Sequence, residues 1–211
     1  MFNRAGWGAQ ATIETLLENE GAQLRLGKIY PLKQKSLLLK VSQAIPQKKK
    51  MDTLVDWASE LGVGELWITE TQRTVVAIRP EAKERAKKRW ERIVVEACKQ
   101  SGSPVLTKIE GPLSLERVIK EKVQPEDRAF LFHLDPQGIS FSEWTEQLKT
   151  LRAKEDLKSI FLFFGPEGGF TEAEVKLAES HGVQKVYLGE STLRLEAAFM
   201  GVLSNLRFLW G

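Results

Sequence analysis

The chain has 211 residues, 42% of them hydrophobic, which is enough to bury a core in one large domain or in a medium domain with a small one. Its single cysteine, Cys98, excludes an intramolecular disulfide, and one cysteine with two histidines argues against a metal centre. No apolar run is long enough to span a bilayer and no signal-like segment opens the chain, so we expect a cytoplasmic protein without membrane or metal partners.

Positive charge is concentrated near the N-terminus. The net charge is only +3, but residues 1–50 carry nine basic and three acidic side chains. This distribution favours contact with a polyanion such as RNA. The run Lys48–Lys50 could equally belong to a solvated linker.

The first 46 residues predict a small β domain. Short stretches at 11–14, 23–26 and 37–41 have strand composition, and charged or glycine-containing turns separate them. The segment 45–47 contains a proline that breaks the pattern, so we place a domain boundary after residue 46.

Residues 47–211 alternate between helices and strands. Apolar residues spaced three and four apart predict helices at 50–61, 81–100, 113–121, 141–150, 171–181 and 194–209. Apolar runs predict strands at 65–68, 74–78, 129–132, 159–164 and 185–188. The alternation predicts an α/β fold in which helices cover both faces of a mostly parallel sheet.

A glycine-rich turn, G-P-E-G-G at 165–169, follows the most apolar strand. Thr171 and Glu174 then form a T-x-x-E capping box that starts a helix. Open α/β sheets bind ligands at such strand ends, and glycines let a ligand lie against the backbone. The acids Glu167, Glu172 and Glu174, with no nearby base, argue against a phosphate ligand and favour a cationic one. An ordinary strand-to-helix turn would need the same glycines.

Two other strand ends also lead into polar turns. The strand ending at Leu188 precedes a helix whose first turn contains Arg194 and Glu196, and the strand ending at Phe132 leads into His133. Each turn alone could equally hold a surface ion pair or a structural histidine. Three such turns in one half of the chain could converge on one cleft.

These motifs resemble, in order, those of the 16S ribosomal RNA uridine-N3 methyltransferase (RsmE) family. The family pattern G-P-E-G-G-[FL]-[ST]-x-x-E is similar to residues 165–174, and L-G-x-x-[IVT]-L-R-x-E-[TA]-A is similar to residues 188–198. Residues 51–63, 69–75 and 89–102 resemble three further family segments.

The resemblance implies a SPOUT-type fold with a trefoil knot in a domain at 47–211, a shortened PUA-like β-barrel at 1–46, and a homodimer. It implies that S-adenosyl-L-methionine is the cofactor and that N3 of a uridine in 16S rRNA of the 30S ribosomal subunit is methylated. The cofactor-binding residues that it implies are His133, Pro136, Phe164, Gly165, Pro166, Glu167, Gly168, Gly169, Leu188, Gly189, Leu193, Leu195 and Ala198.

Methylation at N3 requires the uridine to lose its N3 proton, so the site needs a proton acceptor or a group that stabilises the uridine anion. Arg194 is the candidate for stabilising charge on the uracil carbonyls, and Glu196 for orienting Arg194 or taking the proton. We expect RNA phosphates to contact Arg4, Arg25, Arg73, Lys88 and Arg89. The basic helix at 81–100 could instead be a solvated surface with Glu–Lys pairs.

The sequence departs from the family pattern in three places. The N-terminal barrel is shorter, as expected for a truncated barrel or for a start codon assigned too late. Ala197 stands in place of a threonine, and the arginine that often follows Ser101-Gly102 is missing. These departures favour the alternative of a non-catalytic RNA-binding or ribosome-assembly factor that retains the fold. A nucleotide-binding enzyme is a third alternative, which the acids in the turn disfavour.

Overall fold

The structure is a computed structural model that describes residues 7–17, 21–31, 37–47, 50–76, 78–103, 105–154 and 157–210. An antiparallel hairpin comprises β1 (Trp7–Leu17) and β2 (Gly21–Pro31). The other strands are β3 (Leu38–Ala44), β4 (Glu65–Glu70), β5 (Lys108–Ser114), β6 (Asp127–His133), β7 (Ile139–Ser140), β8 (Ser159–Phe164) and β9 (Gln184–Tyr187). The helices are α1 (Lys50–Glu60), α2 (Pro80–Ser101), α3 (Leu115–Lys122), α4 (Phe141–Ala153), α5 (Glu172–Ser180) and α6 (Leu195–Trp210).

Seven strands form one sheet in the order β5-β4-β3-β8-β6-β9-β7, and the neighbouring strands pair in parallel. The predicted α/β class with a mostly parallel sheet is therefore confirmed. From β3 the chain proceeds through β4 to β5 at one edge, whereas β8, β6, β9 and β7 lie on the other side of β3. Such a reversal of strand order opens a crevice at the carboxyl ends of the strands.

Strand β8 connects two hydrophobic cores, one on each face of the sheet. Ile160, Leu162 and Phe164 pack into the larger core together with side chains from α1, α2, α4 and α6. Phe161 and Phe163 point to the opposite face and pack with α3 and α5. Because side chains alternate along a strand, a strand buried on both faces is a continuous apolar run.

Local signals define the ends of several helices. Thr171 and Glu174 form the predicted capping box at the start of α5, and Ser140 with Glu143 forms a second one at α4. Gly62, with a φ of 78°, follows α1 in the left-handed conformation that glycine adopts without strain. The predicted helices agree with the structure within a few residues at each end.

Several strand predictions were wrong. The stretch at 37–41 was predicted as a strand of the small domain, but β3 lies inside the large sheet, where it pairs with β4 and β8. The described residues of the predicted strand 74–78 have no regular structure. Strand β4 ends at Glu70, and the amide of Thr74 closes a turn on the carbonyl of Thr71 at 3.1 Å. Strands β5 and β7 were not predicted, since β5 contains a Gly-Pro pair and β7 has two residues.

The hairpin β1–β2 forms a sheet of its own and exposes many apolar side chains. Leu16 is 76% exposed, and Ile13, Leu17, Leu26 and Ile29 are also exposed.

Among the described residues, no helix has the length and apolar character needed to cross a membrane.

Candidate cofactor cleft

A cleft of about 210 Å³ lies at the carboxyl ends of β4, β6, β8 and β9. Its walls come from the turns that follow these strands and from the start of α6. Several walls are apolar, because Phe132, Phe164, Leu188 and Leu193 line the cleft. Backbone groups of the glycine turn form another wall. Such a cleft suits a flat, mainly uncharged ligand that contacts both backbone and apolar surface.

The glycine turn is compact because two of its positions require glycine. The amide of Gly169 donates a hydrogen bond to the carbonyl of Pro166 at 2.8 Å, and Gly169 has a φ of 67°. A side chain at Gly165 would bring a Cβ atom within 3.1 Å of the Gly169 backbone. Residues with a Cβ would therefore open the turn or strain it.

The segment that follows β4 is attached to the glycine turn. The guanidinium group of Arg73 lines the cleft and donates a hydrogen bond to the carbonyl of Gly168 at 2.7 Å. The buried carboxylate of Glu174 accepts hydrogen bonds from the backbone amides of Thr171 and Gln72, both at 2.8 Å. Glu174 is thus engaged in capping and docking and does not line the cleft.

His133 lines the cleft as a neutral imidazole at physiological pH. Its Nδ1 accepts a hydrogen bond from the amide of Asp135 at 3.0 Å. Burial lowers the pKa of His133, and this effect outweighs the nearby carboxylate of Asp135. Asp135 itself forms an ion pair with Lys185 at 2.7 Å.

Lys50 forms ion pairs with two carboxylates beside the cleft. Its Nζ lies 2.9 Å from Glu196 and 3.2 Å from Glu167. The hydrogen bond from Lys50 lowers the pKa of Glu196. Burial acts to raise the pKa of Glu167, but hydrogen bonds from the amide of Gln47 and from Lys50 leave it lowered. Both groups are therefore carboxylates at neutral pH.

The predicted catalytic pair is not joined by a described hydrogen bond. The side chain of Arg194 is exposed and lies between Leu193 and Leu195, which both line the cleft. Glu196 contacts Lys50 instead of orienting Arg194. Its Oε2 atom is buried and has no hydrogen-bond partner among the described residues.

The cleft brings together most of the residues predicted to bind the cofactor. Pro136 and Gly189 are not among the lining residues. Pro136 lies in the exposed turn beyond His133, and Gly189 lies in the turn after β9 with a φ of 122°. The lining residues that were not predicted for the cofactor are Arg73, Phe132, Leu134, Ser191 and Thr192. Ser191 and Thr192 lie inside the motif at 188–198 and Arg73 inside the segment at 69–75, whereas Phe132 and Leu134 flank His133.

The residues predicted to bind RNA do not form one cluster. Arg73 lies in the cleft, Arg25 pairs with Glu14 on the hairpin, and Arg4 lies outside the described residues. On α2, Lys88 pairs with Glu84 of the same helix, whereas Arg89 pairs with Asp52 of α1. Within the described ranges, no group of three or more His, Cys, Asp or Glu side chains could hold a metal ion.

Residues 33–207 match the family model of the RNA methyltransferase domain, so the chain belongs to that family of enzymes. The relatives that it matches confirm the resemblance drawn from the motifs. The ribosomal RNA small subunit methyltransferase E of Aquifex aeolicus is 31% identical over 158 residues, which are 75% of this chain and 62% of the relative. The Bacillus subtilis protein of the same name is 27% identical over 171 residues, 80% of this chain and 64% of the relative. The chain thus spans less than two thirds of the length of these two relatives.

Solved structures have the same fold. The ribosomal RNA small subunit methyltransferase E of Neisseria gonorrhoeae, solved with S-adenosyl methionine, superposes with a TM-score of 0.83 at 25% identity. That alignment covers 100% of this chain and 82% of the other. A Legionella pneumophila methyltransferase superposes with the same TM-score of 0.83 at 24% identity and covers 98% and 81% of the two chains.

Proposed function

We propose that this protein uses S-adenosyl-L-methionine to methylate N3 of a uridine in 16S rRNA of the small ribosomal subunit. The observation that carries the proposal is the cleft. The turns after β4, β8 and β9, which contain three of the family segments, line it together with the turn after β6. The relatives named as ribosomal RNA small subunit methyltransferase E support the choice of substrate. The neighbour solved with S-adenosyl methionine supports the choice of cofactor.

The residues of the cleft fit this cofactor. Apolar side chains, among them Phe132 and Leu188, suit the adenine ring, and the hydroxyls of Ser191 and Thr192 suit its polar edge. Glycine leaves the backbone of the turn open to a ligand, since nothing lies within 4 Å of a Cβ built at Gly169. When bound, the cofactor would supply a methyl group on a positively charged sulfur.

The acids support a cationic ligand less directly than the sequence suggested. Of the three acids near the glycine turn, only Glu167 lines the cleft, because Glu174 caps α5 and Glu172 is exposed at the start of that helix. Lys50 compensates one charge of the Glu167 and Glu196 pair. Lys50 leaves these two carboxylates with one net negative charge, but the cationic side chain of Arg73 in the cleft wall offsets it. The choice of a cationic ligand therefore rests on the neighbour solved with S-adenosyl methionine and not on the charge of the cleft.

Arg194 and Glu196 are the residues we propose for the chemistry of the uridine. Arg194 is exposed and stands in the sequence between Leu193 and Leu195, which both line the cleft. We propose that its guanidinium meets the uracil carbonyls and stabilises the anion left when N3 loses its proton. Oε2 of Glu196 has no described donor but is buried, so Glu196 would have to turn towards the cleft before it could accept that proton. The ion pair with Lys50 lowers the pKa of Glu196 and makes it a weak base, so stabilisation by Arg194 has the larger role.

The finer architecture also belongs to the proposal. We propose a trefoil knot within the large domain, a PUA-like identity for the N-terminal β unit, and a homodimer. Because β3 pairs with β4 and β8, we propose that β3 belongs to the large domain and not to the small one that was predicted to end at residue 46. A cytoplasmic location follows from the proposed ribosomal substrate.

The proposed RNA contacts are Arg4, Arg25, Arg73, Lys88 and Arg89. An exposed ion pair contributes little free energy, so phosphates can compete for the guanidinium and ammonium groups that now face acids. Arg73 has a second candidate role as a contact to the cofactor, since it lies in the cleft wall and uses one N–H for Gly168.

One assay tests the cofactor, substrate and product together. Purified protein is incubated with S-adenosyl-L-methionine and 30S subunits that lack the modification, and N3-methyluridine in the 16S rRNA is measured by mass spectrometry. We expect the modified nucleoside at one position. Calorimetry with S-adenosyl-L-methionine and with ATP is run in parallel. Cofactor or RNA binding without methyl transfer would support the non-catalytic assembly factor, and binding of ATP alone would support a nucleotide-binding enzyme.

A further inference from the structure

Beside the cofactor cleft, Lys50, Glu167 and Glu196 form a charged cluster, called here the Lys50 bridge. Lys50 is the first residue of α1, Glu167 lies in the glycine turn after β8, and Glu196 lies in the first turn of α6. The ammonium group is 3.2 Å from Oε1 of Glu167 and 2.9 Å from Oε1 of Glu196. One cation thus connects the two turns that carry the family motifs.

Each carboxylate is held close to a wall of the cleft. Glu167 lines the cleft itself and also accepts hydrogen bonds from the amide of Gln47, at 3.1 and 3.2 Å, in the connection that leads to α1. Glu196 follows Leu195, and both Leu195 and Ala198 line the cleft. A displacement of either carboxylate would therefore move the cleft wall.

Lys50 is the cation that separates the two carboxylates of the Lys50 bridge. The side chains of Lys50, Glu167 and Glu196 are 29%, 27% and 29% exposed, so water screens their interactions only in part. The hydrogen bonds to Glu196 and then to Glu167 raise the pKa of Lys50. Without the ammonium group the two carboxylates would repel each other, and both turns would lose their common partner.

We propose that Lys50 is a positioning residue that holds the two turns of the cleft together and limits the negative charge beside it. The proposal rests on the proposed function, because the ligand whose charge matters is S-adenosyl-L-methionine. The bridge has one net negative charge. This charge favours the cationic sulfonium of the methyl donor over the neutral sulfur of S-adenosylhomocysteine, the product of methyl transfer.

The test is the affinity of both ligands for a Lys50→Met variant, which keeps the length of the side chain and removes its charge. Loss of two partly buried ion pairs should weaken S-adenosylhomocysteine binding by about tenfold. The bridge then has two negative charges, which attract the sulfonium, so the preference for the methyl donor over the product should rise about threefold. Isothermal titration calorimetry measures both affinities without catalysis.

Two further variants make the result specific. Lys50→Arg keeps a cation that can contact both carboxylates, so it should restore both the affinity and the native ratio. Lys120→Met is the matched control, because it also removes a lysine from an ion pair, the exposed contact with Glu116, and neither residue lines the cleft. This control should bind both ligands like the native chain.

Native affinity for both ligands in Lys50→Met would overturn the proposal. Equal losses for the two ligands, without rescue by Lys50→Arg, would also overturn it, because they would identify a general structural role. If the native chain binds neither ligand, the proposed function fails instead, so the two failures are distinguishable.

Discussion

Replacement of Glu174 by alanine should strongly destabilise the protein. The carboxylate accepts hydrogen bonds from the amides of Thr171 and Gln72, both at 2.8 Å, and it is only 6% exposed. The variant leaves these two amides without an acceptor and removes a negative charge from the start of α5. The variant loses the helix cap, the hydrogen bonds and the interaction with the helix dipole. Together these losses should lower the free energy of unfolding by about 2–4 kcal/mol.

Urea unfolding followed by circular dichroism measures this cost. With an unchanged slope, the midpoint of Glu174→Ala should fall by about 1–2 M urea. Glu172→Ala is the matched control, because Glu172 is exposed in the first turn of the same helix. This control should change the free energy of unfolding by no more than about 0.5 kcal/mol. Equal midpoints for the two variants would refute the reasoning. Because Gln72 precedes Arg73 in the cleft wall, Glu174→Ala should also weaken cofactor binding.

Three shorter predictions concern the cleft. Arg194→Ala should reduce methyl transfer by about a hundredfold while calorimetry shows unchanged cofactor binding, and native turnover would remove Arg194 from the proposal. Gly165→Ala should weaken cofactor binding, since its Cβ would meet the Gly169 backbone at 3.1 Å, and unaltered affinity would contradict the compact turn. The pKa values of Glu167 and Glu196 are lowered in the folded protein. The ion pairs with Lys50 therefore stabilise the folded state fully at any pH above the ordinary carboxylate pKa, and this stabilisation is lost as the pH falls through the lowered pKa values. Melting temperatures between about pH 7 and 3 should therefore fall more for the native chain than for Lys50→Met, and parallel curves would count against the Lys50 bridge.

Much of the large domain could be predicted from local patterns. The apolar run of β8 indicated burial on both faces, and the structure confirms two cores around it. The capping box at Thr171 marked the start of α5 to within a residue. Both patterns can be recognised in the sequence because the residues that form them are neighbours along the chain. The assignment of β3 failed because strand composition does not say which sheet a strand joins, and its partners β4 and β8 follow later in the sequence.

The site was predictable where it consists of strand ends, and not where it depends on distant contacts. The motifs at 165–174 and 188–198 indicated a shared cleft, whose lining includes residues of both. The sequence counted Glu174 among the acids that face a ligand, but its partner Gln72 is 102 positions away. Lys50 was interpreted as part of a basic run that solvates a linker or meets a polyanion, and only the folded chain brings it to Glu167 and Glu196.

One wall of the cleft comes from α6. Leu195 and Ala198 lie at the start of α6, and the ring of Phe199 packs against that of Phe164 at a centroid distance of 5.1 Å. Because α6 follows every other lining segment in the sequence, a ribosome that is translating this protein must release α6 before the proposed cofactor cleft can close. Uptake of the proposed cofactor by a nascent chain would therefore report that α6 has left the ribosome.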